Sequence, residues 1–275
     1  MIENPVVYAG VSYSPDAEYI DLGDTKVKDW DKFCAFLDQM PALTQVDMFS
    51  TKIERKYIDM LAERYPQITF GWTMVIRARD HQHYVRTDVT AWSTLHNNRT
   101  VTHSSSDFEV LKYCKNLQAL DLGHNSVSSL DFLYDLPNLK VLILAANRIT
   151  DITPIGTLTQ LEYLEIFKNK ITDFSVLANL TNLLDLNVCF NYCKDLTPIL
   201  GLPKLERLWI YNSNNYSGDD PVPKATVAAL QESMPNCHID STHYSTNGGW
   251  RNHARYDIIY EMFKTSTYIP FSTEE

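Results

Sequence analysis

Residues 139–182 read LKVLILAANRITDITPIGTLTQ and LEYLEIFKNKITDFSVLANLTN, two consecutive 22-residue units with the same pattern of apolar positions. Further apolar residues stand three and five positions after the first leucine of each unit, as in Leu142 and Leu144. A sustained period of this length predicts stacked coils, each of which buries its apolar face only against its neighbours. The first leucines of five such units are spaced 22 residues apart: Leu117, Leu139, Leu161, Leu183 and Leu205.

An asparagine stands eight residues after the first leucine of the first four units. The chain must turn sharply after a short strand, and a side-chain amide can satisfy backbone groups that the turn leaves unpaired. We therefore predict a stacked ladder of amides. The column comprises Asn125, Asn147, Asn169 and Asn191, with Ser213 in the fifth unit.

The second half of each unit is predicted to be irregular or to form a short helical turn. Two of these halves contain the sequences DITPI and DLTPI, and proline lacks the N–H group that a continued strand would need. Longer units flank the short ones, with a 26-residue shift that relates Ile20 to Val46. Apolar spacing in these longer units predicts helices at about 29–39, 54–65 and 225–234.

The repeat pattern divides the chain into a repeat domain, 1–240, and a C-terminal capping tail, 241–275. The units are most regular over 117–212, and the register breaks at about 73–105, where we expect an inserted β-hairpin. Tyr256, Ile259 and Phe263 predict a terminal helix in the tail. Such a cap is expected because an open stack of coils exposes apolar layers and strand edges.

The 22-residue unit resembles the internalin-type leucine-rich repeats of Gram-positive bacterial surface and secreted proteins, and the longer terminal units resemble ribonuclease-inhibitor-like repeats. The sequence GGWRNHARYDIIYEMF, 248–263, is similar to the endings of uncharacterised bacterial leucine-rich-repeat proteins. The resemblance implies an α/β leucine-rich-repeat solenoid, a horseshoe with a parallel β-sheet on its concave face and short helical or 3₁₀ segments on its convex side. Such proteins usually engage another protein.

The period-two rule for strands places alternate residues on the concave face of the predicted sheet. Aromatic and arginine side chains supply most of the energy at protein interfaces, so this face is predicted to bind a protein partner. The expected site is Tyr163, Glu165, Phe167, Asp185, Asn187, Phe190, Arg207, Trp209 and Tyr211. A weaker and more acidic continuation is Tyr19, Asp21, Gln45, Asp47 and Phe49.

Two other uses of the concave aromatic residues stay open at this stage. Trp209, Tyr211 and Tyr163 could stack on sugar rings beside Asp185 and Asn187, which makes a lectin-like, carbohydrate-binding surface protein the alternative function. The aromatic residues could also serve structure alone, with the tail from Ser241 folded back over them.

The net charge of -10 argues against nucleic acid and anionic membranes as partners, because both need clustered Lys and Arg. The chain contains neither an apolar stretch long enough to span a membrane nor a signal peptide. We expect a monomer that is secreted or on the cell surface, with a cytoplasmic location as the alternative.

No catalytic motif is recognisable, so we expect no enzyme activity and no cofactor. Cys189 and Cys193 point to different sides of a coil and predict no shared metal site. His81 and His83, joined by His96 or His103, could bind zinc, and solvated loop histidines are the competing interpretation.

Overall fold

The structure is a computed structural model that describes residues 4–78, 81–94, 102–213 and 222–271. The chain forms two compact units, each treated by itself below. The first unit comprises Met1–Arg77 and Gln82–Asp88, and the second comprises Ala78–His81 and Val89–Glu275.

The first unit contains a four-stranded sheet in which the strands β3, β4, β5 and β6 lie in that order. The first three are parallel, and Ile20 pairs with Val46, which confirms the 26-residue shift. Its elements are β1 (Val6–Tyr8), β2 (Val11–Tyr13), β3 (Tyr19–Asp21), α1 (Trp30–Leu37), β4 (Gln45–Ile53), α2 (Arg55–Arg64), β5 (Thr69–Ala78) and β6 (His81–Arg86). Strands β1 and β2 form a separate antiparallel pair.

The two predicted helices of the first unit are confirmed. Helix α1 begins where the Asp29 side chain accepts a hydrogen bond from the backbone N–H of Lys32, which satisfies one of the donors that a helix start leaves unpaired. The apolar stripe of α1 is buried through Phe33 and Leu37, and that of α2 through Ile58 and Leu61. Both helices therefore present one apolar face to the core, as their spacing predicts.

The second unit contains a seven-stranded sheet in which all pairs of neighbouring strands are parallel. Leu142, Leu164 and Leu186 lie in register, so the 22-residue period of the sequence becomes the repeat of the sheet. The leucine-rich-repeat fold is thereby confirmed. The strands are β7 (Ala91–Ser93), β8 (Ala119–Asp121), β9 (Val141–Ile143), β10 (Tyr163–Glu165), β11 (Asp185–Asn187), β12 (Arg207–Trp209) and β13 (His238–Asp240).

The asparagine ladder forms as predicted. The Asn169 amide donates to the carbonyl oxygens of Leu144 and Ile166 at 3.0 Å, and its Oδ1 accepts from the backbone N–H of Ile149 at 3.1 Å. Each amide thus joins two adjacent coils while satisfying buried backbone groups. The residue before each asparagine adopts a left-handed conformation, with φ of 52–60° at His124, Ala146, Lys168 and Phe190.

The return halves of the coils are 3₁₀ turns, with Pro154 and Pro198 in the first turns of two of them, where no N–H is required. These turns span Ser105–Tyr113, Asp131–Asp135, Thr153–Thr157, Ser175–Asn179, Thr197–Ile199 and, later in the chain, Trp250–Asn252. The last long unit contains the predicted helix, α3, at Lys224–Ser233.

The predicted irregular insertion at about 73–105 is shorter in the structure. Strands β5 and β6 are neighbours, and the backbone N–H of Thr87 donates to the Trp72 carbonyl at 3.0 Å, which agrees with a hairpin. Strand β7, however, already belongs to the repeat, because Trp92 pairs in parallel with Leu120. The shift here is 28 residues, so a search for a 22-residue period misses it. Residues 79, 80 and 95–101 lie outside the described part.

The tail contains the predicted terminal helix, α4, at Ala254–Thr265. We refer to residues 241–271 as the C-terminal segment. It crosses the concave face of the seven-stranded sheet. In the first turn of α4, the Arg255 guanidinium binds Asp185 of β11 at 2.9 Å. Directly after α4, the Ser266 carbonyl accepts a hydrogen bond from the backbone N–H of Ala91 in β7 at 3.3 Å.

Candidate interaction surfaces

The concave face of the seven-stranded sheet brings the predicted site residues together in two parallel rows. Register pairing places Tyr163, Asp185 and Arg207 side by side on successive strands, and does the same for Glu165, Asn187 and Trp209. These six residues thus share one face of the sheet, as the period-two rule predicts. All six of these residues are nevertheless buried, and the largest exposure among them is 6%, at Arg207.

The indole of Trp250, in the C-terminal segment, fills the centre of this face. Its ring centroid lies 5.5 Å from that of Tyr163 and 5.1 Å from that of Trp209, and the indole is fully buried. Ile259 and Met262 of α4 belong to the same buried cluster. The three rings and the two α4 side chains therefore form part of a hydrophobic core, because burial of side chains of this size strongly favours the closed arrangement.

Backbone carbonyls of the C-terminal segment satisfy polar side chains of the concave face. The Asn187 amide donates to the Ser245 carbonyl at 2.7 Å, and Trp209 Nε1 donates to the Asn247 carbonyl at 3.0 Å. Arg207 donates to the carbonyl of Trp250 at 2.7 Å. Polar groups that could have recognised an external ligand are thus already paired within the chain.

Buried carboxylates and arginines reinforce this contact. Asp185 is fully buried and lies 3.3 Å from Arg207 and 2.9 Å from Arg255. Glu165 is also fully buried and lies 3.3 Å from Arg251. Two of the three arginines come from the C-terminal segment, so removal of the segment would leave both carboxylates buried without these partners, or bring them into water.

Burial also changes the protonation of groups on this face. The pKa of Asp121 is raised to about 7, chiefly by desolvation and also by the nearby negative charge of Glu165, although the backbone N–H of Gly123 opposes the shift. Burial likewise raises the pKa of the Cys189 thiol to about 12. The Cys189 thiol is therefore neutral at neutral pH, and Asp121 favours its neutral form below about pH 7.

The prediction of an exposed partner site in this sheet needs correction for seven of its nine residues. Tyr163, Glu165, Phe167, Asp185, Asn187, Arg207 and Trp209 are buried beneath the C-terminal segment. Phe190 and Tyr211 remain partly exposed at the edge, with ring centroids 6.3 and 6.4 Å from that of Tyr244. The same burial leaves no open ring face at Tyr163 or Trp209 for the predicted stacking on sugars.

Sequence reasoning missed the residues that fill the face. The expected site contains neither Trp250 nor the two arginines, Arg251 and Arg255, although the alternative of a tail folded back over the aromatic residues is the arrangement that the structure shows. The sequence does contain a signal for this contact. The concave rows contain carboxylates flanked by aromatic residues, and the stretch GGWRNHAR carries a tryptophan and two arginines that could pair with them. Charge and shape complementarity between two parts of one chain favours an internal contact.

The exposed face of the four-stranded sheet, in the first unit, has a different character. Tyr19 is 51% exposed, and its hydroxyl donates to Asp47 Oδ2 at 3.1 Å. The Gln45 amide donates to Asp47 Oδ1 at 3.3 Å. The Arg86 guanidinium lies 4.1 Å from the centre of the Phe49 ring. We name these five residues, Tyr19, Gln45, Asp47, Phe49 and Arg86, the open face.

Gly71 allows the open face to pack closely. A Cβ atom at this position would lie 2.4 Å from Asp47 Oδ1 and 2.6 Å from the Phe49 ring, so any larger residue would displace both side chains. Arg86 is additionally fixed by Asp88, with distances of 2.9 and 2.6 Å to its two carboxylate oxygens. The open face is therefore arranged before any partner arrives.

Within the described residues, the histidines that could bind zinc do not come together in a site. His83 lies in β6, and His103 is buried with its ring centroid 5.5 Å from that of Phe108. His96 and the side chain of His81 lie outside the described part. Within that part, no three His, Cys, Asp or Glu residues are grouped so that they could hold a metal ion. Cys189 and Cys193 contact different carbonyls, those of His243 and Asp195.

Comparison with known proteins agrees with the repeat fold. A family model described as leucine-rich repeats in two copies matches residues 115–157 and 137–179. The chain thus contains leucine-rich repeats in its central part, and its fold is that of a leucine-rich-repeat protein. No curated protein sequence matches the chain.

Several solved structures are similar. An internalin, inlF, from Listeria monocytogenes shares 18% identity over 85% of this chain and 59% of its own, with a TM-score of 0.42. Internalin C2 from the same organism shares 21% identity over 75% of this chain and 78% of its own, with a TM-score of 0.36. The leucine-rich-repeat ectodomain of the receptor kinase SOBIR1 from Arabidopsis thaliana shares 21% identity over 58% and 91%, with a TM-score of 0.39. The chain spans about three fifths of the length of inlF.

Proposed function

We propose that the protein is a non-enzymatic protein–protein interaction module that binds a basic partner through its open face. The observation that carries the proposal is the contrast between the two sheets. The concave face of the seven-stranded sheet is filled by the C-terminal segment, whereas the open face has an exposed tyrosine and an exposed arginine, with the half-buried ring of Phe49 beneath the arginine.

The composition of the open face suits a protein interface. Tyrosine and arginine are enriched among residues that dominate binding energy, and aromatic rings supply contact area with little loss of conformational freedom. Hydrogen bonds from Tyr19 and Gln45 already hold Asp47, and Arg86 already lies over Phe49. Little ordering free energy is then lost on association.

Charge indicates the kind of partner. Asp21 lies beside Asp47 in the sheet, Asp88 is paired with Arg86, and the whole chain carries a net charge of -10. Complementary charges speed the encounter of two proteins and disfavour partners of the same sign. The partner is therefore proposed to present lysine or arginine residues, and its association is expected to slow at high salt.

The nine residues predicted on the concave face remain a second set of proposed contacts. Phe190 and Tyr211 are partly exposed, and the other seven could meet a partner only if the C-terminal segment left the sheet. A secreted or cell-surface location likewise remains a proposal. Among the described residues, no helix has the length and apolar character required to span a membrane.

The proposal is tested by affinity capture from the cells and secreted fraction of the source organism with three forms of the full chain. These are wild type, a Tyr19→Ala, Phe49→Ala double variant, and a Tyr260→Ala control, whose side chain is 65% exposed on α4. We expect a basic protein to be captured by wild type and by the control, and to be lost with the double variant. Capture that survives the loss of Tyr19 and Phe49 would contradict the proposed surface.

Probing the same three forms with glycans tests the lectin-like alternative. The open face is proposed to bind protein, so no form is expected to retain a sugar ligand. Saturable sugar binding by wild type, without capture of any protein, would replace the proposal with carbohydrate recognition.

A further inference from the structure

A cleft of about 620 Å³ lies beside the C-terminal segment in the second unit. One wall follows the residues just before strands β10, β11 and β12, namely Glu162, Leu184 and Glu206, and the other includes the first turns of α4 and Phe271. Sites for small ligands commonly have volumes of about 300–1,000 Å³. The cleft is therefore large enough for a small organic ligand or a short peptide.

One pair of charges in the cleft is already balanced. Arg255 binds Glu206, and it lies 2.9 Å from Asp185, which also contacts Arg207. A ligand gains little from these groups, because each already has an opposite charge beside it.

Two other charges in the cleft have no opposite charge within 4 Å among the described residues. Glu162 accepts only a long hydrogen bond, 3.4 Å, from the Tyr268 hydroxyl. Lys204 Nζ donates at 2.8 Å to Asn182 Oδ1, the oxygen of a neutral amide. The cleft therefore offers one negative and one positive group that a ligand could pair with.

The separation of these two charges indicates the length of the ligand. Glu162 precedes β10 and Lys204 comes shortly before β12, two strands away. Neighbouring strands are about 4.8 Å apart, and Lys204 is also offset from Glu162 by two residues in register, so the two backbone positions are about 12 Å apart. An extended peptide advances about 3.3–3.6 Å per residue, so about three to four residues span this distance. Leu184, Ile258 and Phe271 offer apolar contact along the way.

We propose that this cleft binds a short zwitterionic peptide of about three residues, with its terminal ammonium group at Glu162 and its terminal carboxylate at Lys204. Opposite charges at both ends give the peptide one favoured direction, and the apolar wall receives its central side chain. The site shares no residue with the open face, so the two proposals can fail independently.

Calorimetric titration of the full chain with Ala-Leu-Ala and with its blocked forms tests the proposal. The free peptide should bind, and acetylation of its amino end or amidation of its carboxyl end should each weaken binding by about tenfold, since each removes one charge-assisted contact. Equal affinity for free and blocked peptides, or no heat of binding with the free peptide up to about 10 mM, would overturn the proposal.

Variants connect each end of the peptide to its residue. Glu162→Gln should weaken the free peptide by about tenfold and leave the affinity for the acetylated peptide unchanged. Lys204→Met should also weaken binding of the free peptide by about tenfold, and it should leave the affinity for the amidated peptide unchanged. The controls Glu232→Gln and Lys170→Met change exposed charges outside the cleft and should leave all affinities unchanged. If Glu162→Gln and Lys204→Met behave like these controls, the assigned contacts are wrong.

Discussion

The indole Nε1 of Trp250 donates a hydrogen bond of 2.7 Å to Oε1 of Glu165, although 85 positions separate the two residues in the chain. Both side chains are fully buried. The Tyr163 hydroxyl donates to the same carboxylate oxygen, and Arg251 lies 3.3 Å from the other one. Trp250 thus contacts both the apolar core of the concave face and the buried carboxylate of Glu165. An external ligand for this face would have to replace both contacts.

Replacement of Trp250 by alanine is expected to lower the free energy of unfolding by about 3–5 kcal/mol, because it leaves a large cavity and removes one hydrogen bond to Glu165. Denaturant unfolding of the variant and wild type measures the difference. Tyr260→Ala, also in the C-terminal segment but 65% exposed, should change stability by less than about 0.5 kcal/mol. Similar values for the two variants would mean that Trp250 is not a core residue.

Removal of Asp185 should also be severe. Asp185→Ala leaves Arg207 and Arg255 without their buried carboxylate, and breaking a buried ion pair commonly costs about 3–5 kcal/mol. Glu261→Gln removes an exposed pair with Lys264 and should cost less than about 1 kcal/mol. Thermal unfolding of both variants tests the contrast, and a melting temperature of Asp185→Ala equal to that of the control would refute it.

Stability should decrease as pH rises through neutrality, in part because of Asp121. Burial raises its folded pKa from 3.8 to about 7, so between these values the folded state binds more protons than the unfolded state and stability falls with rising pH. A difference of about three in pKa corresponds to at most about 4 kcal/mol.

Asp121→Asn removes this titration, so the difference in stability between wild type and variant should change from about pH 4 to pH 7 and become constant at higher pH. Comparison of the two proteins cancels the contribution of groups that titrate alike in both. A constant difference across this range would show that Asp121 is ionised in the folded protein.

The asparagine ladder gives a prediction about the coils themselves. Asn169→Ala leaves the Ile149 N–H and the Leu144 and Ile166 carbonyls without their side-chain partner in a buried position, and should cost about 2–4 kcal/mol. Asn138→Ala removes a single bond to the Lys115 carbonyl at an exposed site, and should cost less than about 1 kcal/mol. Equal losses in chemical unfolding would mean that the ladder adds nothing to the stability of the stack.

The repeat made much of the fold predictable. Leu142, Leu164 and Leu186 lie in register because equal 22-residue units bury their apolar residues when each coil stacks directly on the next. The same spacing predicted the position of the asparagine ladder. Strand β7 escaped the prediction because Trp92 precedes Leu120 by 28 residues, which breaks the period.

The candidate site was harder to predict. Periodicity showed that Tyr163 and Trp209 share a face, and it could not show whether that face meets water. Its exposure depends on Trp250, whose contact with Glu165 is a single long-range pairing that no repeat specifies. Side-chain chemistry alone does not distinguish an aromatic and charged surface that binds a partner from one that binds another part of the same chain.

The reactivity of Cys189 tests most directly whether the C-terminal segment stays closed. Its thiol is fully buried on the concave face, 4.0 Å from the His243 carbonyl, and burial raises its pKa to about 12. Native protein would be treated with iodoacetamide, and modification of each cysteine followed by mass spectrometry. We expect Cys189 to react as slowly as Cys114, which is fully buried, with both becoming reactive together on global unfolding. Rapid modification of Cys189 in native protein, with Cys114 still protected, would contradict the closed face and show that the seven buried concave residues are accessible to a partner.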